Sequence, residues 1–247
     1  MKQIKRVAIL FAMHQEASPI AERLGLDAQR PLVDGLPAMT RRGTVGGVEV
    51  VHCVNGTDPV HGVDRIGTEA ATLTTWLLLE TERPDLLVNA GTCGGFVARG
   101  GEIGRTYVGG DAFLYHDRRV PLPGFDAQSV GRIPALPFPG VERLLGIDSG
   151  PVSTGSSLTQ TEEEMAFFER EGVVAKDMEA AAVAVVARDR GVPLLALKAV
   201  TDLVDAPEPS HVAFLRNLAS TTERLTDHLE ALLRHLGEGR TLEDLTG

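Results

Sequence analysis

The sequence is poor in the residues that would build a disulfide framework. Its 247 residues include two cysteines, Cys53 and Cys93, so one bridge is the ceiling and nothing marks an oxidising compartment. No apolar run approaches the ~18–20 residues of a membrane span. Lys5-Arg6 followed by residues 7–13 imitates the start of a secretory signal, but His14-Gln15-Glu16 follows where a small-residue cleavage site belongs. Positive charge is in deficit, with 24 Lys+Arg against 34 Asp+Glu and a net charge of −10, and no basic run appears. Charge of that sign repels a phosphate backbone, so no nucleic-acid partner is expected. Together these features predict a reduced, soluble, cytoplasmic protein with no membrane contact. The dinucleotide, P-loop, zincin and serine-hydrolase signatures are missing, and the seven histidines are scattered, with His116-Asp117 a lone His-carboxylate step outside any helical pattern. By default His116-Asp117-Arg118-Arg119 reads as a solvated loop cluster.

What is present is an ordinary globular composition, 43% hydrophobic and 23% charged, in a chain long enough to bury a full core as one domain over residues 1–247. Residues 7–11, 48–54, 86–90, 103–109 and 194–200 are short apolar runs bounded by Gly, Pro or charge. Runs apolar on both faces suit strands covered on both sides, in a parallel or mixed sheet. Val63, Ile66, Ala70, Leu73 and Leu77 step at helical spacing, as do Leu215, Leu218, Leu225, Leu229, Leu232 and Leu236. Residues 121–140, rich in Pro and Gly, read as a long excursion loop. The pattern is that of a single α/β domain.

Three acidic residues fall near the ends of these elements, where open α/β sheets place their chemistry. Glu16 opens a helix bearing Ala17, Ile20, Ala21 and Leu24; a first-turn glutamate also favours the helix dipole without any function. Glu179 precedes residues 180–187, all Ala or Val, and is either a dipole partner or faces a pocket. Asp202 follows an apolar strand, and it or Asp205 can cap the next turn. Gly91-Thr92-Cys93-Gly94-Gly95 follows another strand, as a ligand-cradling loop or a plain tight turn.

Phe11-Ala12-Met13-His14-Gln15-Glu16, Asn89-Ala90-Gly91-Thr92-Cys93-Gly94-Gly95, Lys176-Asp177-Met178-Glu179-Ala180-Ala181-Ala182 and Ala199-Val200-Thr201-Asp202-Leu203-Val204-Asp205 occur in that order. Together they resemble the motifs of the nucleoside phosphorylase/nucleosidase family, specifically its 5′-methylthioadenosine nucleosidases, from about residue 6 to about residue 235. Residues 116–123 resemble the plant-type branch. The resemblance implies a central mixed β-sheet flanked by helices, a homodimer, no metal or cofactor, and a small-molecule nucleoside substrate. The implied reaction is hydrolysis of an adenine–ribose bond, in the service of methionine salvage. Carried onto matching positions, Glu16 becomes the base that activates water and Asp202 the acid that protonates adenine N7. Glu179 holds the ribose hydroxyls, with Met178 against the sugar or base. Thr92 brings a hydroxyl near the nucleophile, Met13 lies beside the water, and Leu158 frames the adenine. Phe125 sits in a loop expected to reach a neighbouring subunit's 5′-alkylthio pocket.

The chemistry explains the residue types. Cleaving a purine N-glycoside leaves an oxocarbenium-like sugar and a poor anionic leaving group, so an acid on the base and a water-activating carboxylate opposite divide the work. Glu16, facing water, is expected to stay ionised. Phosphorolysis would need a clamp for a phosphate dianion, for which arginine is the natural choice. Residues 86–90, ahead of the glycine-rich segment, carry no positive charge, which favours water; Arg65 and Arg118 are the arginines left to serve a phosphorylase. Gly155-Ser156-Ser157 stands where relatives usually carry an acidic residue. The base-side contacts therefore leave S-adenosylhomocysteine, 5′-deoxyadenosine and futalosine open beside methylthioadenosine. A nucleoside-binding protein without turnover is the reading from another class, and it has no use for both an acid and a base.

Overall fold

The computed structural model describes residues 3–247. In chain order its elements are β1 (Arg6–Phe11), α1 (His14–Arg23), β2 (Arg30–Pro31), β3 (Met39–Val45), β4 (Val48–Val54), α2 (Thr68–Glu82) and β5 (Leu86–Gly95). After a 3-10 turn come β6 (Thr106–Tyr115), α3 (Phe125–Val130), β7 (Ile133–Pro134), α4 (Pro139–Leu145), β8 (Asp148–Thr154), α5 (Glu162–Glu171) and β9 (Ala175–Asp177). The chain ends with α6 (Ala180–Arg190), β10 (Leu194–Leu203), α7 (Ser210–Gly237) and α8 (Leu242–Thr246).

All strands join one mixed sheet in the order β10-β6-β8-β9-β5-β1-β4-β3-β2, with β7 on β6. A second pairing of β10 with β5 closes β5, β9, β8, β6 and β10 into a ring. β1, β4, β5 and β10 run parallel, so their carboxyl ends meet at one side of the sheet. The expected single α/β domain with a mixed sheet between helices is the observed one.

The doubly apolar runs are covered on both faces. Along β1, Val7, Ile9 and Phe11 pack toward α1 and α7, whereas Ala8 and Leu10 pack toward α2 and α6. Side-chain alternation across a pleated strand requires this division. On α6 the buried side chains are alanine and valine, which lets α2 approach closely.

Several details differ from the sequence reading. Helix α2 begins at Thr68, so Val63 and Ile66 precede it, and it buries Ala70, Ala71, Thr74, Thr75, Leu78 and Leu79 while Leu73 stays exposed. Threonines small enough to fit against α6 displace the leucine stripe that hydrophobicity alone selects. On α7 the predicted stripe is buried from Leu218 to Leu236, but Leu215, near the start of the helix, is 72% exposed. Residues 121–140 are not one loop; they contain α3, β7 and the start of α4. The His116 ring is buried rather than solvated, edge-on to Phe168 and bonded to Ser153 Oγ at 3.0 Å.

The glycine-rich segment is also no loop. Residues 91–95 complete β5, and none of their glycines has positive φ. Close approach is what these glycines serve. A Cβ on Gly94 would lie 2.6 Å from Val204 Cγ2 and 3.2 Å from Asp202 Oδ2, and one on Gly91 would lie 3.3 Å from Glu16 Oε1.

Candidate active site

A cavity of about 730 Å³ opens at the carboxyl ends of the parallel strands, a size suited to a drug-sized ligand. Its wall contains Glu16, Asp202, Glu179, Met178, Thr92, Met13 and Leu158, brought together from α1, β5, β10 and the segments before α5 and α6. Phe125 is not among them: it is 54% exposed on α3.

Glu16 occupies the third position of α1, and its Oε2 accepts from the Met13 N–H at 3.2 Å, the backward half of a capping box. Oε1 accepts from both the Thr92 N–H (2.7 Å) and the Thr92 hydroxyl (2.6 Å). Glu16 is therefore a helix-start residue and a wall of the cavity at once. It is less solvated than expected. Burial pushes its carboxyl above the ordinary range, against the pull of the Thr92 hydroxyl and N–H, Lys198 and the Met13 N–H. Oε2, with one long hydrogen bond, is the oxygen with capacity left for a water.

Glu179 is the N-cap residue of α6 but does no capping. That duty falls to Asp177, whose Oδ2 accepts from the Ala180 N–H at 2.8 Å, and to Thr154, whose hydroxyl accepts from the Ala181 N–H at 2.9 Å. Freed from its own helix, the Glu179 carboxylate accepts from the Gly67 N–H at 2.8 Å and faces the cavity. Burial, then the charge of Asp177, push its carboxyl up to about 7.

Lys198 and Asp177 form an ion pair at 2.8 Å, with side chains 2% and 0% exposed. Asp177 also accepts from the Thr154 hydroxyl at 2.5 Å. A buried pair persists only when its remaining lone pairs and protons are satisfied, and here the start of α6 and Thr154 satisfy the carboxylate. The carboxylates of Asp177, then Glu179 and Glu16, outweigh burial and hold the Lys198 ammonium protonated.

Asp202, also in the cavity wall, lies near the end of β10, 4% exposed, with Oδ1 accepting from the Thr201 hydroxyl at 3.0 Å. Neither acid is bonded to the turn that follows β10: Asp205 accepts from the Val97 and Ala98 N–H groups, at the start of the 3-10 turn after β5. Lys176 reaches across the floor and donates to the Ser157 and Leu158 carbonyls at 3.0 and 2.5 Å, fixing the segment that bears Leu158. The Ser156 N–H donates to Asp117 at 2.7 Å, so an acidic side chain reaches this segment from elsewhere in the sequence.

The open side is bounded by residues 62–66 and by Phe214 of α7. Residues 62–66 are held to α1 by Asp64, which accepts from the His14 N–H at 2.9 Å and pairs with the His14 ring at 2.5 Å. No arginine is among the lining residues; Arg118 lies instead over the Tyr115 ring at 3.4 Å. Cys53 and Cys93 are free and buried.

Sequence reasoning missed Lys198, Asp177, Lys176 and Phe214. Lys198 had a signal: a lysine inside an otherwise apolar, doubly covered strand must find an anion. Asp177 and Lys176 lie inside a motif already quoted. Phe214 falls off the apolar stripe of α7 and offers no signal.

Acidic side chains converging at the carboxyl edge of a parallel sheet define an α/β protein with a site for a small polar molecule. The phosphorylase superfamily matches residues 6–234, and the chain belongs to that family. It is 36% identical over 247 residues to a 5′-methylthioadenosine nucleosidase of Arabidopsis thaliana, covering 99% of this chain and 92% of that protein. It is 34% identical over 246 residues to a 5′-methylthioadenosine/S-adenosylhomocysteine nucleosidase of the same plant, covering 99% and 96%. The solved apo structure of an Arabidopsis thaliana 5′-methylthioadenosine nucleosidase matches with a TM-score of 0.94 at 36% identity, over 99% of this chain and all of that one. The futalosine hydrolase of Helicobacter pylori, at 22% identity and a TM-score of 0.78 over 94% and 98% of the two chains, shares the fold. The expected family resemblance, with its plant-type character, is borne out.

Proposed function

We propose that this protein is a hydrolase that cleaves the N-glycosidic bond of 5′-methylthioadenosine, releasing adenine and 5-methylthioribose. The observation that carries it is the convergence of three buried carboxylates, Glu16, Glu179 and Asp202, on one cavity. The full-length likeness to plant nucleosidases supplies the substrate class.

In this reading Glu16 takes a proton from water through Oε2, while Thr92 and the Met13 N–H hold the carboxylate in place and Met13 flanks the water. Asp202 gives a proton to N7 of the departing adenine, which Leu158 frames. Glu179 holds the ribose hydroxyls with Met178 beside them. The acidic surroundings suit the positive charge that develops on the sugar, as preorganised charge does in a water-poor site. Hydrolysis fits better than phosphorolysis, because a phosphate dianion entering this cavity would meet carboxylates and no arginine.

The assembly we propose is a cytoplasmic homodimer in which Phe125 reaches the neighbouring subunit's 5′-alkylthio pocket. Exposed Leu73 and Trp76, which line a groove with Arg118, and exposed Leu122 and Phe125 support an apolar contact. Two free thiols suit a reducing compartment.

The experiment is product analysis after incubating the purified protein with methylthioadenosine, without phosphate and with excess phosphate. Adenine and methylthioribose at a rate indifferent to phosphate are expected. A sugar 1-phosphate, formed only with phosphate present, overturns the hydrolytic reading. Sedimentation gives the assembly state, and a monomer removes the role of Phe125.

A further inference from the structure

The strand that carries Asp202 is irregular where it matters. β10 runs in register with β5 up to Val200 opposite Cys93 and resumes with Asp202 opposite Gly94, so Thr201 is an extra residue with no partner on β5. Its register with β6 covers residues 197–199 and ends before this point. Side chains two apart on an unbroken strand share a face. Ala196 and Val200 lie in the apolar layer beneath α2 and α6. Without the extra residue Asp202 would follow them into that layer, because a one-residue slip moves every later side chain to the other face. With it, Asp202 lies over Gly94, whose Cβ position is 3.2 Å from Oδ2, and lines the cavity.

A bulge of this kind lacks part of its ladder and needs support from outside the sheet. α7 provides it. The Asn217 side-chain amide donates to the Thr201 carbonyl at 2.9 Å, and one helical turn later the Thr221 hydroxyl donates to the Val200 carbonyl at 3.3 Å. The two contacts differ in weight. The Val200 carbonyl also accepts from the Gly104 N–H at 2.8 Å, and the Val200 N–H donates to the Arg105 carbonyl. Asn217 alone among α7 side chains reaches the extra residue itself, and it does so without lining the cavity.

We propose that Asn217 is a positioning residue: its amide holds the β10 bulge that turns Asp202 out of the apolar layer and toward the leaving group. It touches no substrate and acts through Thr201 and Asp202. The inference rests on the reading of Asp202 as the acid, and its signature is dependence on the leaving group. A departing adenine needs a proton, whereas 4-nitrophenolate leaves as a stable anion.

The experiment compares kcat and KM of wild type, Asn217→Leu, Asn217→Asp and Thr221→Val on methylthioadenosine and on the 4-nitrophenyl glycoside of 5-methylthioribose. Asn217→Leu removes the donor. Asn217→Asp keeps the shape and sets an acceptor against the carbonyl, which serves if the leucine variant fails to fold. Misplacing an acid by about an ångström costs up to ~100-fold, so both Asn217 variants should lose roughly 10- to 100-fold in kcat on methylthioadenosine, with KM within about 3-fold. On the nitrophenyl substrate they should lose less than about 3-fold, the pattern expected of Asp202→Asn in weaker form. Thr221→Val, which removes the redundant contact, should change neither substrate by more than about 3-fold. Equal losses on both substrates, or undiminished adenine release, overturn the proposal. Failure of the wild type itself to release adenine would instead overturn the function on which it rests.

Discussion

Replacing Glu179 by glutamine should stabilise the protein at alkaline pH and do almost nothing for it at pH 4. The glutamate is 8% exposed, and its carboxyl is pushed from an ordinary 4.5 to about 7, so the folded state keeps a proton that the unfolded chain has released. Stability then falls as pH rises across that window, because the native state binds more protons than the unfolded one; below it both states are protonated, and above it both are ionised. A window of about 2.5 pH units at ~1.36 kcal/mol per unit sets a ceiling of about 3 kcal/mol on the loss. Adjustment of the neighbouring charged groups that act on Glu179, namely Asp177, Lys198 and Glu16, reduces the realised value. Glutamine keeps the shape and the acceptor for the Gly67 N–H but has no ionised form to bury. Urea unfolding at pH 4 and pH 8, at one protein concentration, should show the variant within about 0.5 kcal/mol of wild type at pH 4 and about 1–3 kcal/mol above it at pH 8. The same variant should hydrolyse methylthioadenosine poorly, a trade of activity for stability at one carboxyl. A stability difference identical at both pH values would refute the reasoning, since it would show that Glu179 does not change ionisation on folding.

Other substitutions test the remaining parts of the site. Asp202→Asn should lower turnover of methylthioadenosine by more than ~100-fold, the lower end of general-acid contributions, with an unchanged circular dichroism spectrum; full activity would remove Asp202 from the mechanism. Lys198→Met leaves the Asp177 carboxylate buried without its counter-charge and should cost about 3–5 kcal/mol by urea unfolding, with much of that recovered on adding Asp177→Asn. A single-variant loss below ~1 kcal/mol would show that the pair is not held together as described. Gly94→Ala places a Cβ 2.6 Å from Val204 Cγ2 and 3.2 Å from Asp202 Oδ2. Overpacking of this kind costs about 1–3 kcal/mol, and kcat should fall further than KM rises.

How much of this was legible in the sequence depends on the distance over which each feature is decided. The apolar runs at 7–11, 48–54, 86–90 and 194–200 and most of α7 are decided by periodicity within ten or so residues, and they fall in observed elements. The run at 103–109 overlaps only the start of β6, and β3, β8 and β9 carry no such run. The face of α2 is decided by α6, more than a hundred residues away, whose alanines accept threonines and leave Leu73 outside. The three carboxylates stand out in the sequence because each follows or opens an apolar element, yet spacing alone left each as either a cap or a site residue.

That ambiguity is resolved by partners far along the chain. Glu179 is free to face the cavity only because Asp177 and, from β8, Thr154 have taken the first N–H groups of α6. Asp177 can do so as a buried anion only because Lys198 arrives from β10. Beside Asp202, Asp205 ties the end of β10 to the 3-10 turn at Val97 and Ala98, and Asp202 itself escapes the apolar layer because Thr201 is inserted ahead of it. In each case a neighbouring acid does the structural work, and the displaced carboxylate is what the cavity receives. A lone acid at a helix start or strand end is therefore weak evidence for a site. Two acids within three residues, as at 177/179 and 202/205, are stronger evidence, since one helix or turn start leaves the second without a structural task.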